Sequence, residues 1–403
     1  MLRFALMLGL LSLVGPFAID MYLPALPEIA RDLTATEAQI QFSLTAYFIA
    51  YGLAQIFYGP LADQAGRRLP ILLGAAIFCA GAIGATFAQS ATSLTLCRAI
   101  QGFGGAAMMV MPRAIVRDLY RGSEATKLMS LVMLVISVSP MLAPLAGSIV
   151  IAMSGWRVVF AFMAGLAVIT ICVTVFLLPE TLPKERRTPI NMRRLAGNAR
   201  ALLTDGTFMG LTFIGGFGMA SFFVFIASAS FVYMGQFGMD STQFSLAFAL
   251  NALGFFSATQ FAGPLAVRIG VSRVVRSGVG IFFCSNIVLV CLALAGLAPL
   301  PVIMAGLFCS NAGLGLVIPT TAVLALEPHG DKAGLASSLG GTLQMLTGGV
   351  MITLSGLFFD GTALPMIGAI AFCAVVAMAL ALTFVPREGP APLVDDPQSD
   401  PAV

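Results

Sequence analysis

Polar and charged positions vanish for about twenty residues at a time along most of the chain, then return in short clusters. Twelve segments have this character: 4–27, 40–58, 69–88, 94–116, 128–153, 158–178, 208–234, 242–267, 274–296, 302–326, 335–359 and 365–385. About twenty apolar residues in a helix span a ~30 Å hydrocarbon core. A helix also satisfies its own backbone where no water can. The pattern therefore predicts an all-α polytopic membrane protein with twelve transmembrane helices. Short turns join most segments. The exception is 179–207, PETLPKERRTPINMRRLAGNARALLTDGT, which is polar and contains three prolines. It divides the chain into six segments and six.

The division predicts an N-terminal six-helix bundle over 1–178, a linker over 179–207, a C-terminal bundle over 208–386 and a disordered tail over 387–403. An internal repeat supports the halving. GPLADQAGRR, 59–68, follows segment two, and GPLAVRIGVS, 263–272, follows segment eight. The second copy has Val267 where the first has Asp63, and it lacks the arginine pair. Parallel six-helix repeats are one known transporter architecture.

Composition sharpens the membrane reading. Hydrophobic residues make up 59% and charged residues 10% of the 403, against about 25% charged in a soluble domain. Placing the N-terminus inside puts seventeen Lys and Arg residues at cytoplasmic ends and only Arg31 and Arg157 outside. The positive-inside rule then makes both termini and the linker cytoplasmic. Net charge is +3, and no basic run carries interleaved aromatics, so nucleic acid is not an expected partner. The seven cysteines are odd in number and fall mostly in apolar segments, which argues against a disulfide framework. One histidine cannot build a metal cluster. No P-loop, nucleophile elbow or HExxH is present, so neither enzyme chemistry nor a cofactor is expected.

Three motifs carry a family resemblance. GPLADQAGRR resembles the loop 2–3 signature of the major facilitator superfamily through Gly59, Asp63, Gly66, Arg67 and Arg68. RAIQGFGGAA in segment four resembles its R-x-x-Q-G-x-G signature through Arg98, Gln101, Gly102 and Gly104. SPMLAPLAG, 139–147, is similar to the antiporter signature, with Ala143 where a glycine stands in the family. AIDMYLPALP, RAIVRDLY and ALEPHGDKAGLASS together resemble the bicyclomycin-resistance (Bcr/CflA) branch of drug/proton antiporters. The resemblance implies two pseudo-symmetric six-helix bundles in a bacterial inner membrane, working as a monomer by alternating access. It also implies export of small amphiphilic compounds in exchange for protons. Uptake or export of a polar metabolite is the alternative, and would ask for more charged and amide groups in the cavity.

Candidate residues follow. Asp20 is the one acid well inside a segment, seven residues or about 10 Å below Pro27. Three readings stand: a proton-coupling carboxyl, a static pair with Arg98 at comparable depth, and a contact for a cationic substrate. Gly15–Pro16 predicts a kink just before it. Tyr47, Tyr51, Gln55 and Tyr58 form one face of segment two, lining a cavity or packing on a neighbour. Gln101, Phe223 and Asn251 are further cavity candidates, and Asn251 and Gln260 are read as buried amides. Gly59, Asp63, Gly66, Arg67, Arg68 and Asp118 are candidates for a latch. There, Gly59 would let helices approach, Gly66 would permit a tight turn, and the charges would pair between helix ends.

Overall fold

A computed structural model describes residues 2–120, 122–187 and 192–386; the tail from 387 onward lies outside the described residues. All regular structure among the described residues is helical. Twelve long helices follow one another: α1 Leu2–Asp20, α2 Glu37–Ala65, α3 Arg68–Thr86, α4 Ala91–Leu119, α5 Gly122–Ser154, α6 Trp156–Phe176, α7 Gly206–Ser230, α8 Ser241–Ile269, α9 Val271–Leu294, α10 Leu300–Leu326, α11 Ala333–Leu357 and α12 Ala363–Phe384. The linker adds a short helix, Met192–Leu203. Polar residues in the loops set the boundaries. Thr36 with Gln39, Ser90 with Ser93 and Asp240 with Gln243 form capping boxes that begin α2, α4 and α8.

Among the described residues, eleven helices are long and apolar enough to cross a membrane. The one expected span outside that set is α11. Its 25 residues include six glycines, three serines and three threonines. Small and hydroxyl side chains lower its hydropathy, and its position accounts for them. It is wedged between α2 and α7, where Gly349 faces Ile49 and Gly348 faces the Phe223 ring.

The first span departs from expectation. The chain stays helical through Pro16 and breaks only after Asp20. A 3-10 turn, Leu23–Ala25, and a short helix, Leu26–Asp32, carry the span onward. Pro24 and Pro27 start those two pieces, where a missing N–H does no harm. Asp20 is thus the last residue of α1, beside a discontinuity. It lies twelve residues from Asp32, or about 18 Å at helical rise, deeper than the sequence suggests.

α1–α6 pack mainly among themselves, as do α7–α12. The two sets meet along α2 with α11 and along α5 with α8. Thr342 Oγ1 donates to the Gly52 carbonyl at 2.7 Å, Thr353 Oγ1 to Thr45 Oγ1 at 3.3 Å, and Ser245 Oγ to the Pro144 carbonyl at 3.0 Å. Phe48 stacks on Phe223 with centroids 4.1 Å apart. These contacts all lie between the middle of the molecule and the side away from the linker. The α2–α11 seam ends at Gln55 and Gly341. Further toward the linker, Gly59, one turn beyond Gln55, and Gly334, two turns beyond Gly341, continue the two facing stripes, yet nothing lies within 4 Å of a Cβ position on either. Along the α2–α11 seam the two sets are closed on the far side and splay open on the linker side.

Candidate functional site

Asp20 is 4% exposed, and its carboxyl makes no hydrogen bond or ion pair with any described residue. Arg98, on α4, is completely buried. Its guanidinium carbon lies 4.3 Å from the Tyr47 ring centroid, 4.8 Å from Tyr22 and 5.9 Å from Phe160. Aromatic faces are the one apolar surface that attracts a cation, by up to about 2 kcal/mol when water is excluded. Arg98 Nη1 donates to Gln101 Oε1, one turn along α4. Gln101 Nε2 in turn points at Met163 Sδ, 3.4 Å away on α6. Arg98 Nε and Nη2 have no hydrogen-bond partner.

The static Asp20–Arg98 pair, one of the three readings, is therefore not formed in this arrangement. The two share a neighbour instead: Tyr47 is within electrostatic reach of both. Close helix approach builds this cluster. A Cβ on Gly102 would sit 2.3 Å from the Tyr47 carbonyl oxygen, so only glycine lets α2 and α4 meet there. Tyr22 and Phe160 escaped the sequence reading. Tyr22 stands two residues after Asp20, but nothing in its spacing linked it to α4.

The other cavity candidates are mostly packed. Tyr47 and Asn251 are fully buried, and Asn251 Nδ2 donates back to the Ala247 carbonyl at 3.1 Å. Phe223 is taken up in the seam with Phe48. Tyr51 and Gln55 keep a small exposed fraction, Tyr51 against Gly15 and Gln55 against Gly341. Gln260, read as a buried amide, is exposed.

A second cluster lies on the linker side. Arg67 donates through Nε and Nη2 to the two carboxylate oxygens of Asp118, at 2.7 and 3.2 Å, and through Nη1 to Asp63 at 2.8 Å. Burial works against the charge of Arg67, but its hydrogen bonds to Asp118 and then Asp63 outweigh that and hold the guanidinium above its ordinary pKa. Gly66, at φ +95°, turns the chain tightly ahead of it. Two expectations fail here. Gly59 has open space in front of it rather than a close neighbour. Arg68 turns away from both acids and donates to the Val175 carbonyl at 2.8 Å.

Glu180 supplies what the sequence reading missed. Its carboxylate accepts from the backbone N–H of Arg67 at 2.8 Å and of Arg68 at 3.3 Å, capping the start of α3. Thr181 Oγ1 adds a bond to Asp118 Oδ2 at 3.2 Å. The linker's first residues are thus tied to the α2–α3 turn and to the end of α4.

A family model described as Major Facilitator Superfamily matches residues 8–351. The uncharacterized MFS-type transporter YdgK of Bacillus subtilis (strain 168) is 33% identical over 96% of this chain and 96% of its own length. A bicyclomycin resistance protein homolog of Haemophilus influenzae is 32% identical over 93% of this chain and 94% of its own. Among solved structures, a D-xylose-proton symporter superposes with a TM-score of 0.75 at 16% identity, covering 96% of this chain and 98% of that one. That likeness establishes a shared fold. A family model spanning most of the chain, together with relatives matched nearly end to end, makes the protein a multi-pass membrane transporter of the major facilitator superfamily.

Proposed function

We propose that this transporter exports small amphiphilic, drug-like compounds from the cytoplasm in exchange for protons. The observation that carries the proposal is Asp20, a deeply buried carboxyl without an ion partner, beside a break in the first span and sharing the neighbour Tyr47 with an arginine that has free donors. A carboxyl so placed is neutral when protonated and seeks Arg98 when ionised. Its proton can thus be traded against the electrostatics of the cavity. The resistance protein of Haemophilus influenzae supports a drug-like substrate. The absence of acidic residues from α7–α12 weighs against a polar-metabolite carrier.

In this reading the protein works as a monomer in the bacterial inner membrane, with its termini and linker cytoplasmic. The halves 1–178 and 208–386 rock about the α2–α11 and α5–α8 seams. The arrangement described above is then inward-facing. Substrate enters from the cytoplasm, and Asp20 releases its proton there. Arg67, Asp63 and Asp118, with Gly66 as their turn, hold the cytoplasmic ends of α2, α3 and α4 as one piece while the halves move.

The test is transport in proteoliposomes under an imposed pH gradient, using a panel of antibiotics that includes bicyclomycin. Wild type should concentrate at least one of them, and Asp20→Asn should lose the response to the gradient. An Asp20→Asn protein that still concentrates drug in response to ΔpH would remove the coupling role. A wild type indifferent to ΔpH would remove antiport itself.

A further inference from the structure

On the splayed side several cations serve neither the latch nor the buried cluster, and Arg113 is one that lies well inside a helix. Arg113 lies six residues inside the linker-side end of α4, about 9 Å at helical rise. It is exposed and makes no hydrogen bond or ion pair with any described residue. Arg117, one turn nearer the helix end, is likewise exposed and unbonded, while Arg67 is held by two acids, Arg68 donates to Val175, and Arg276 donates to the Val385 carbonyl at 2.7 Å.

Position on the helix says which way Arg113 faces. Arg98, Gly102, Gly105, Met109 and Arg113 recur every three or four residues and so share one face of α4. The upper part of that face is covered by α2. Gly102 abuts the Tyr47 backbone, and a Cβ on Gly105 would lie 3.1 Å from the Tyr47 hydroxyl and 3.5 Å from the Tyr51 ring. Below Gly105 the cover ends: Met109 is half-buried and Arg113 is exposed. Arg113 nevertheless stays within electrostatic reach of Tyr51, whose ring is buried against Gly15 and Gly105. The side chain therefore belongs to the interior of the splay rather than to the outward face that presents Ile100 and Phe103.

Acids on the opposite set stand outside its helices: Asp205 and Glu327 lie at the linker-side ends of α7 and α10, and Asp205 faces His329. α7–α12 contain no aspartate or glutamate from their first residue to their last. An unpaired guanidinium at the mouth of an apolar opening focuses a positive potential into it. It also offers a bidentate fork that matches a carboxylate or sulfonate.

We propose that Arg113 is a specificity-determining residue, and that the preferred cargo is an amphiphile carrying a carboxylate or sulfonate group. The proposal rests on the export reading above and narrows its substrate class.

Matched fluorescent probes test it: dansylglycine, an anion, and dansylglycinamide, its neutral twin. Both are offered to wild type in proteoliposomes under a pH gradient. Wild type should take dansylglycine with a KM about tenfold below that of the amide. Arg113→Gln should raise the KM for dansylglycine by about tenfold and leave the amide within about twofold. Arg113→Lys, which keeps the charge, should retain most of the preference. A wild type without preference for the anion overturns the proposal with no variant needed, as does an Arg113→Gln protein altered equally toward both probes. Transport of the amide alone sinks this proposal and leaves export standing. Transport of neither probe, nor of any antibiotic, sinks both.

Discussion

At the scale of single residues, charge in an apolar context is what sequence displays best. Asp20, Arg98, Asp63, Arg67 and Asp118 are all legible for that reason. Their partners are harder to read. Arg98 is held by rings and an amide, groups too common in a membrane protein to point at anything. Glu180 binds backbone N–H groups 113 and 112 positions away, and no side-chain motif marks that contact. The linker-side network makes this concrete. Asp118→Asn leaves a buried guanidinium with one of its two anions, and breaking such a pair should cost about 2–3 kcal/mol. Glu180→Gln keeps an acceptor but removes the charge from the start of α3, which should cost about 1 kcal/mol. Thermal unfolding in detergent should therefore rank wild type above Glu180→Gln and Glu180→Gln above Asp118→Asn. The opposite order for the two variants would mean that the cap, and not the arginine pair, holds the turn.

At the scale of helices, the apolar pattern located every span, because the bilayer asks for length and apolarity and little else. Its signal is weakest where a helix serves another helix. α11 gave up hydropathy for small residues that let α2 and α7 approach. The break in the first span fell after Asp20 and not at Pro16: the helix runs on through that proline, and the chain resumes as a 3-10 turn with Pro24 at its start. Glycines separate the two kinds of position cleanly. Gly102→Ala would drive a methyl to 2.3 Å from the Tyr47 carbonyl oxygen, so α2 and α4 must part, at a cost of about 1–3 kcal/mol or more. Gly59→Leu meets open space within 4 Å and should leave thermal stability near that of wild type. The two variants then differ in transport for different reasons. Gly102→Ala should yield little folded protein by size-exclusion chromatography. Gly59→Leu should fold but turn over slowly, because closing the linker side extends the seam from Gly52 and Gln55 to Gly59 against α11. Normal turnover in Gly59→Leu would mean that the α2–α11 seam does not extend on closure.

At the scale of the whole molecule, the repeat of Gly-Pro-Leu-Ala with its 6 + 6 spacing told how many helices sit on each side of the linker. It could not tell how the two sets lean. That depends on weak contacts at the seam, a few threonine hydroxyls, a phenylalanine stack and facing glycines, none of which differs in kind from ordinary helix packing. The lean can be tested by freezing it. At the far end of the α2–α11 seam, the Cβ of Ala38 lies 3.9 Å from the Cβ position on Gly356. That matches the Cβ separation of a disulfide, about 3.8 Å on average. In a background freed of the seven native cysteines, Ala38→Cys with Gly356→Cys should oxidise readily and join the two sets on the side away from the linker. Transport should stop when the bond forms and return on reduction, because alternation requires that seam to part. A thiol-reactive probe at a cysteine replacing Gly334, on the open side, should label the oxidised protein fully, since nothing lies within 4 Å of that position. Oxidised protein that still transports would show that the α2–α11 seam is a fixed axis, and would leave the α5–α8 seam to do the opening.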